Sequence, residues 1–300
     1  MDITGNIVAD YHPINTISPG APIEFLILGT PDDYIDLGDL RILLHLKIVR
    51  ADGANLDDGK DKVNFINLPI SSVFQDVFLK IADTQVEGGQ HVYPYNGYIS
   101  SLLQFHPSAK STHMQAWGWA EDDPGEFDDD AKNDGLKMRR EETKGGKVWE
   151  VMGPLFLDMA RQPRYLLPQT SVRIKLLPAK AAFCLQCTNA TGGYFDYDYR
   201  IERCVLYAPR ISVMDSVISG HNKGLEKYNA KYHVNHVDIS TFTITKEHQT
   251  FIKDGLFTAQ VPKMVVIGLL NHAHFNGKIE NSPFNFQHYD LNKIALYRDG

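Results

Sequence analysis

Cysteine is scarce in this chain: Cys184, Cys187 and Cys204 are the three among 300 residues. An odd, sparse set supplies no disulfide framework and fits a reducing compartment. Long apolar runs are missing as well. None reaches the roughly 18 residues that read as a membrane-spanning helix, and the opening MDITGNIVADYHPINTISPG has neither the basic nor the apolar segment of a secretory signal. A soluble product, made inside the cell and without a membrane span, is the expectation. Positive charge is in deficit, with 30 Lys and Arg against 37 Asp and Glu and a net charge of −7. That balance argues against a protein whose main task is gripping nucleic-acid phosphates, so no direct sequence-specific nucleic-acid contact is expected. Catalytic signatures are absent too: no G-x-S-x-G elbow, P-loop, dinucleotide fingerprint or H-E-x-x-H helix occurs. No catalytic residue and no cofactor is expected, and the chain is read as a non-enzyme.

What the chain does have is core material and strand grammar. Its 43% hydrophobic and 11% aromatic content is that of an ordinary globular protein. From Leu40 to Ile48 the even positions Leu40, Ile42, Leu44, Leu46 and Ile48 are apolar while Arg41, His45 and Lys47 fall between them, the period of a half-buried strand. The same alternation recurs at Val77, Leu79 and Ile81 and at Val172, Ile174 and Leu176. Ile23 to Leu28 and Ile201 to Tyr207 are further strands, and near Val237, Ile239, Phe242 and Ile244 the parity switches as a bulge would switch it. Helix signals are few. Tyr95, Ile99, Leu102 and Leu103 follow Pro94 at helical spacing, and Met214 to Tyr228 holds a weaker candidate interrupted by Gly220 and Gly224. Such a pattern predicts an all-β chain of packed antiparallel sheets.

Corners and loops complete the plan. Pro19-Gly20-Ala21-Pro22 pins the approach to the first strand, Tyr93-Pro94-Tyr95 anchors a helix start, and Gln162 to Pro168 leads into the Val172 strand. His106 to Met152 is the longest stretch without strand periodicity and contains the acidic run EDDPGEFDDDAKND, Glu121 to Asp134. Val261 to Gly300 reads as strand, ordered loop and strand, with apolar runs at Val265 to Leu270 and Ile294 to Tyr297, followed only by Arg298-Asp299-Gly300. The main organisational break falls between Met214 and Ala230.

Three places invite a metal. A twelve-residue calcium loop can be laid from Asp130 to Glu141, but its third place, which needs an oxygen ligand, is Lys132, and Met138, Arg139 and Arg140 open no evident helix. The run therefore reads as a solvated, self-repelling surface loop. Cys184 and Cys187 have C-x-x-C spacing, yet no second pair completes a zinc site and no helix N-terminus follows, so they read as ordinary thiols. His272 and His274 would share one face of a strand, with Glu280 further on, in the manner of the cupin metal strand. The glutamate and glycine spacing departs from the cupin pattern, and no second cupin motif is present. No metal is expected, with His272 and His274 the minor candidates.

The order of motifs ISPGAPIEFLILG, DDYIDLGDLRILLHLKIVRADG, YPYNGYISSLL, VPKMVVIGLL and HFNGKIENSPFNFQHYDLNKIALYRDG resembles the major capsid proteins of Polinton (Maverick) elements and adinto-like viruses across nearly the whole chain. The resemblance implies a double jelly-roll, two antiparallel β-sandwiches side by side, in a homotrimer of pseudo-hexagonal outline that tiles an icosahedral shell. On that map residues 14–213 form the first roll with the inserted loop 106–152 facing outward, 214–230 are a connector, and 231–300 start a second roll. About seventy residues cannot supply eight strands at typical lengths, so that second roll is expected to be incomplete, as in a fragment or a truncated gene product. Partners implied are other copies, neighbouring capsomers and minor or penton capsid proteins, with the virion capsid as location and the host cytoplasm or nucleus as site of synthesis. Phe284, Phe286 and Tyr289 are the candidate contact residues, with packing inside the chain as the alternative for them. Other readings are a cupin-like metalloenzyme using His272 and His274, a β-sandwich binding module for carbohydrate or protein, and a single jelly-roll minor capsid protein.

Overall fold

The computed structural model describes residues 3–58, 60–187, 196–246, 250–257 and 261–297. Eight strands build its body: β1 (Ile3–Tyr11), β2 (Ile23–Ile27), β3 (Arg41–Arg50), β4 (Phe74–Ile81), β5 (Thr84–Glu87), β6 (Trp149–Pro154), β7 (Val172–Pro178) and β8 (Tyr197–Val213). Pairing is antiparallel and nested. The first strand bonds to the eighth, the second to the seventh, the third to the sixth and the fourth to the fifth. Cross-pairs β3–β8 and β4–β7 then join these ribbons into two sheets, ordered β1-β8-β3-β6 and β2-β7-β4-β5. A long hairpin rolled up on itself gives this order, so residues 3–213 are an eight-stranded jelly roll.

The alternation read from Leu40 to Ile48 is the reason β3 sits where it does. Ile42, Leu44, Leu46 and Ile48 all point into the space between the sheets and meet Phe25 and Ile27 of β2, Val77 and Leu79 of β4, and Ile174 and Leu176 of β7 in one core. Burying each such aliphatic side chain stabilises the fold by about 1.5–3 kcal/mol. Leu43 and Val49, on the other parity, are buried as well, so β3 is covered on parts of both faces. At the first corner, Gly20 takes φ 69° and the Ala21 N–H closes on the Ser18 carbonyl at 3.1 Å, the tight turn that its flanking prolines require.

The roll begins at Ile3, ahead of Ile14. As an edge strand β1 is wetted on both faces, and Gly5, Asn6 and Ala9 interrupt its apolar positions, so no alternation marks it. A second difference is larger: among the described residues after Val213 none lies in a strand, whether at Val237 to Ile244, Val265 to Leu270 or Ile294 to Tyr297. Strand composition alone leaves the backbone polar groups of such a run without partners, and among the described residues the one backbone–backbone hydrogen bond from these runs to a distant segment is that of the Gln287 N–H to the Leu269 carbonyl. Residues Arg298, Asp299 and Gly300 lie outside the described part of the chain.

Between β5 and β6 the chain leaves the roll for a long ordered excursion. It carries α1 (Tyr93–Gln104) and α2 (Asp134–Thr143), the latter capped by the Asn133 side chain, which accepts from the Leu136 N–H at 3.1 Å. Gly97 lets α1 press on the helical turn Pro69–Ser72, since a Cβ there would stand 2.1 Å from Ser71 Oγ. The acidic run is neither loose nor self-repelling. Asp122 and Arg139 are 3% and 2% exposed and 2.6 Å apart. The same guanidinium donates to the carbonyls of Phe65 at 3.1 Å and Ala120 at 2.8 Å, while Asn67 and Asn133 donate to Asp122 at 3.0 and 2.9 Å. Asp130, the first residue of the calcium reading, is paired with Arg140 and faces Lys62. Arg139 and Arg140 of the same excursion, with Lys62 from the loop after β3, thus supply the positive charge a metal would have supplied.

Asp61 ties the loop after β3 to the sheet. Arg50 reaches it at 2.6 Å, the Asp57 N–H at 2.7 Å and the Tyr197 hydroxyl at 2.9 Å. Burial pushes this carboxyl up, but the three donors together hold it below the usual carboxylate range.

Two predictions follow from these polar centres. Removing one partner of a fully hydrogen-bonded buried ion pair strands the other, so Asp122→Ala should lower unfolding stability by about 3–5 kcal/mol, measured by denaturant titration. Because the folded Asp61 carboxyl releases its proton at lower pH than the unfolded one, its stabilisation is complete above about pH 4 and is lost as pH falls through the depressed folded value. The stability gap between the wild type and Asp61→Asn should therefore close on acidification; a gap that stays constant to low pH would contradict the linkage.

Candidate interaction surface

Three features of the roll face outward with apolar side chains. The first is β1, bonded to β8 on one side only. Its outer edge receives no backbone hydrogen bond among the described residues, and Ile7 and Val8 are 67% and 59% exposed. The second is α1, whose small and aromatic face, Tyr95, Gly97, Tyr98 and Ser101, turns inward while Leu102 and Leu103 stay exposed. The third is Met152 on β6. Large apolar side chains on ordered elements, rather than on mobile tips, are the raw material of a permanent interface.

The C-terminal third straps across the roll before it reaches solvent. In α3 (Asp215–Leu225) the His221 Nδ1 stands 2.6 Å from the Tyr34 hydroxyl, and Val217 and Ile218 pack on Tyr34, Ile211 and Val213. Arg164 then donates to the Lys231 carbonyl at 2.6 Å, the Leu167 N–H to the Tyr232 hydroxyl at 3.2 Å, and the Val237 N–H to Asp158 at 2.9 Å. His236 Nδ1 faces the same Asp158 carboxylate at 2.8 Å. Beyond it, Phe242, Ile244, Phe251, Met264, Val266 and Ile267 are exposed.

At residues 271–287 the chain returns and is latched by aromatic rings. Phe284 lies flat on Tyr98, with centroids 4.1 Å apart and planes 5° apart, and Phe275 stacks on Tyr95 at 5.3 Å. Phe183 and Phe286 close on Tyr95 edge-on. Burial drives the hydroxyls of Tyr95 and Tyr98 well above the ordinary tyrosine value, so both rings remain neutral. Beside the rings, Asp128 of the acidic run accepts from the Ser282 N–H at 2.6 Å, from Asn285 at 3.0 Å, from Asn281 at 3.2 Å and from Gln186 at 3.1 Å. Stacked aromatic pairs contribute about 0.5–1.5 kcal/mol each beyond their area. The Asp128 bonds fix which residues are presented to the socket.

The three expected contact residues are therefore separated. Phe284 is 1% exposed and serves packing within this chain, Phe286 is half-buried against Tyr95, and only Tyr289 is open to solvent, at 51%. The packing is against α1. Sequence reading did not pick out Tyr95 and Tyr98 as a socket or Asp128 as its polar anchor. Their one signal is the i, i+3 spacing of two tyrosines on a helix start. His272 and His274 lie on a helical turn, α4 (His272–Phe275), whose start Asn271 caps by accepting from the Ala273 N–H at 2.9 Å. Residues i and i+2 of a helix diverge, so the strand geometry that would have brought the two imidazoles to one metal is not formed. His272 instead bonds Asn276 at 3.0 Å. Among the described residues no group of three or more His, Cys, Asp or Glu is placed to hold a metal ion. Cys184, Cys187 and Cys204 are buried and not in disulfides, and burial raises the Cys184 and Cys204 thiols far from the thiolate range. No described helix is long and apolar enough to cross a membrane.

No family model matches the chain. It is similar to the uncharacterized protein F54H12.2 of Caenorhabditis elegans, with 21% identity over 297 residues covering 94% of this chain and 67% of that protein. Among solved structures it is similar to a chain of the Sputnik virophage, with a TM-score of 0.47, 16% identity, and coverage of 72% of this chain and 49% of that one. The faustovirus major capsid protein matches at TM-score 0.42 and 9% identity over 75% and 57% of the two chains, and the mavirus major capsid protein at 0.38 and 10% over 68% and 46%. The chain spans about half the length of these solved chains. The nested strand order, and not these likenesses, identifies the jelly roll.

Phe284 is fully buried and belongs to the same hydrophobic cluster as the side chains between the sheets. Phe284→Ala should therefore both make residues 271–287 rapidly cleavable by protease and lower unfolding stability by about 3–5 kcal/mol, measured by denaturant titration. Cleavage at 271–287 with an unmoved main transition would show instead that the latch is separable from the core.

Proposed function

We propose that the chain is a structural capsid subunit of the double jelly-roll kind found in Polinton (Maverick) elements and adinto-like viruses. Its work is self-association into homotrimeric, pseudo-hexagonal capsomers that tile an icosahedral shell, with neighbouring capsomers and minor or penton capsid proteins as partners and the virion capsid as location. Residues 3–213 belong to the first roll, 214–230 connect, and 231–300 carry the opening of the second.

The observation that carries this reading is the jelly roll itself, with nested strand order and a long ordered excursion between β5 and β6, presenting apolar side chains outward on β1, α1 and β6. A jelly roll hosts several functions, and the outward apolar positions favour the assembling one, because a monomer gains nothing by exposing them. The cupin-like alternative loses its premise, since His272 and His274 occupy a helical turn after the roll and not a strand inside it. The excursion, with Asp122 and Arg139 locked inside it, gives a subunit a rigid outer feature.

Native mass spectrometry and electron microscopy of the purified full-length protein test this. Trimers, and rings or shells built from them, are expected as concentration rises. A strictly monomeric protein at high concentration would contradict the capsid reading.

A further inference from the structure

Charge is unevenly placed on this roll. Ile23, Phe25 and Ile27 of β2, Val172, Ile174 and Leu176 of β7, and Val77 and Leu79 of β4 point into the core, so the residues between them form the outer face of the β2-β7-β4-β5 sheet. On that face Lys80 stands directly opposite Arg173, while Lys175 stands between Glu24 and Phe78. Glu24 reaches Arg173 at 3.5 Å and Lys175 at 3.8 Å. Like charges directly opposed across a sheet are destabilising, and Lys80 and Arg173 are such a pair. Together with Phe78 and Gln85 these residues line a shallow depression of about 310 Å³, in which three cations face one carboxylate. The chain as a whole has a net charge of −7.

A second depression, of about 550 Å³, has the opposite character. Asp32, Asp215 and Glu226 line it with one cation, Lys223. Most of it is built by α3, on which Asp215, Ser219, Asn222 and Glu226 follow at i, i+4, i+7 and i+11, one stripe of a helix. The helix is seated by Val217 and Ile218 against Tyr34, Ile211 and Val213 and by His221 on the Tyr34 hydroxyl. Ile211 and Val213 belong to β8, so the acidic stripe sits with the β1-β8-β3-β6 sheet and the basic face with the other. We propose that the basic face of one copy docks on the acidic stripe of a second copy, Lys80, Arg173 and Lys175 meeting Asp32, Asp215 and Glu226. Such docking rests on the self-assembling reading and gives it a surface.

The occupant is a second copy because each copy carries both halves in equal and opposite measure: three cations with one carboxylate, and three carboxylates with one cation. Both halves are fixed to the same roll, so they meet only between copies. A nucleic-acid strand would engage the basic face and be repelled by the acidic one, whereas a second copy engages both. Complementary charge of this kind sets register and speeds encounter. The contact is heterologous, one surface meeting a different one, and such contacts close into rings when the rotation permits.

Charge reversal and zero-length crosslinking of the full chain test it. Lys80→Glu with Lys175→Glu reverses the basic face, and Asp32→Lys with Glu226→Lys reverses the acidic one. The substituted side chains reach solvent, so the main thermal transition should stay in place. Each pair of substitutions should weaken self-association roughly three- to tenfold, and all four in one chain should restore it. Carbodiimide treatment of mixed ¹⁴N and ¹⁵N wild-type protein should join Lys80 or Lys175 of one label to Asp32, Asp215 or Glu226 of the other. Links from these lysines within one label alone, or to other carboxylates of the second copy, would overturn the proposal. Unchanged self-association in both reversed proteins, with binding of a labelled single-stranded DNA lost in the first, would give the face to nucleic acid and overturn it as well. Wild-type oligomers with neither links nor a reversal effect would overturn the docking while leaving the capsid reading intact. A monomeric wild type would remove both.

Discussion

The pairing of β8 is the constraint on which the rest of the roll depends. This strand is 17 residues long. From Tyr197 to Tyr207 it bonds β3, from Leu206 to Val213 it bonds β1, and at Arg210 to Ser212 it also bonds the short strand Asp33–Ile35. No other strand among the described residues pairs with three partners. A register shift lies between Ile201 and Arg203, and beyond it Cys204, Leu206 and Ala208 enter the core while the same stretch of strand carries β1. Because β1 pairs with β8 on one side and with no other described strand, β1 can be ordered and still carry Ile7 and Val8 in water. The exposed edge is therefore a product of how the sheet is closed.

Polar groups inside the excursion repeat that logic at a smaller scale. Arg139 is buried with Asp122 and also donates to the Phe65 and Ala120 carbonyls, so the charge costs little and the excursion is bolted to residues beside β4. Asp128 performs the same service for residues 281–285, although it comes from the acidic run. Negative charge that looks dispersable in composition is used within the chain, residue by residue, as acceptors for the backbone and side chains of another segment. The excursion, α1 and the latch consequently form one continuous layer over the end of the roll.

Much of this was legible in the residues. The alternation at Leu40 to Ile48, Val77 to Ile81 and Val172 to Leu176 marks three of the eight strands, because those strands have one dry face and one wet face. Periodicity is silent at β1, where both faces are wet, and at α2, whose charged sequence forms a helix through the Asn133 cap and the Arg139 anchor. The strand signals at Val237 to Ile244, Val265 to Leu270 and Ile294 to Tyr297 are real as composition, yet a strand is a relation between two segments, and among the described residues these runs form no strand with a second one. For Phe284 the residues leave subunit contact and packing inside the chain both open, since nothing local distinguishes a ring that packs on a neighbour from one that packs 186 residues back on Tyr98. Contacts of that sequence separation have no local signature.

Hydrogen exchange on the monomer, resolved to single amides, measures the division between a cored roll and a C-terminal third held on it by latches. Slowest exchange in β3 and β8, intermediate protection at 271–287 and near-free exchange at 240–246 and 263–268 are the expected pattern. Protection at 263–268 matching that of β8 in the monomer would contradict it, since those amides would then already belong to a sheet.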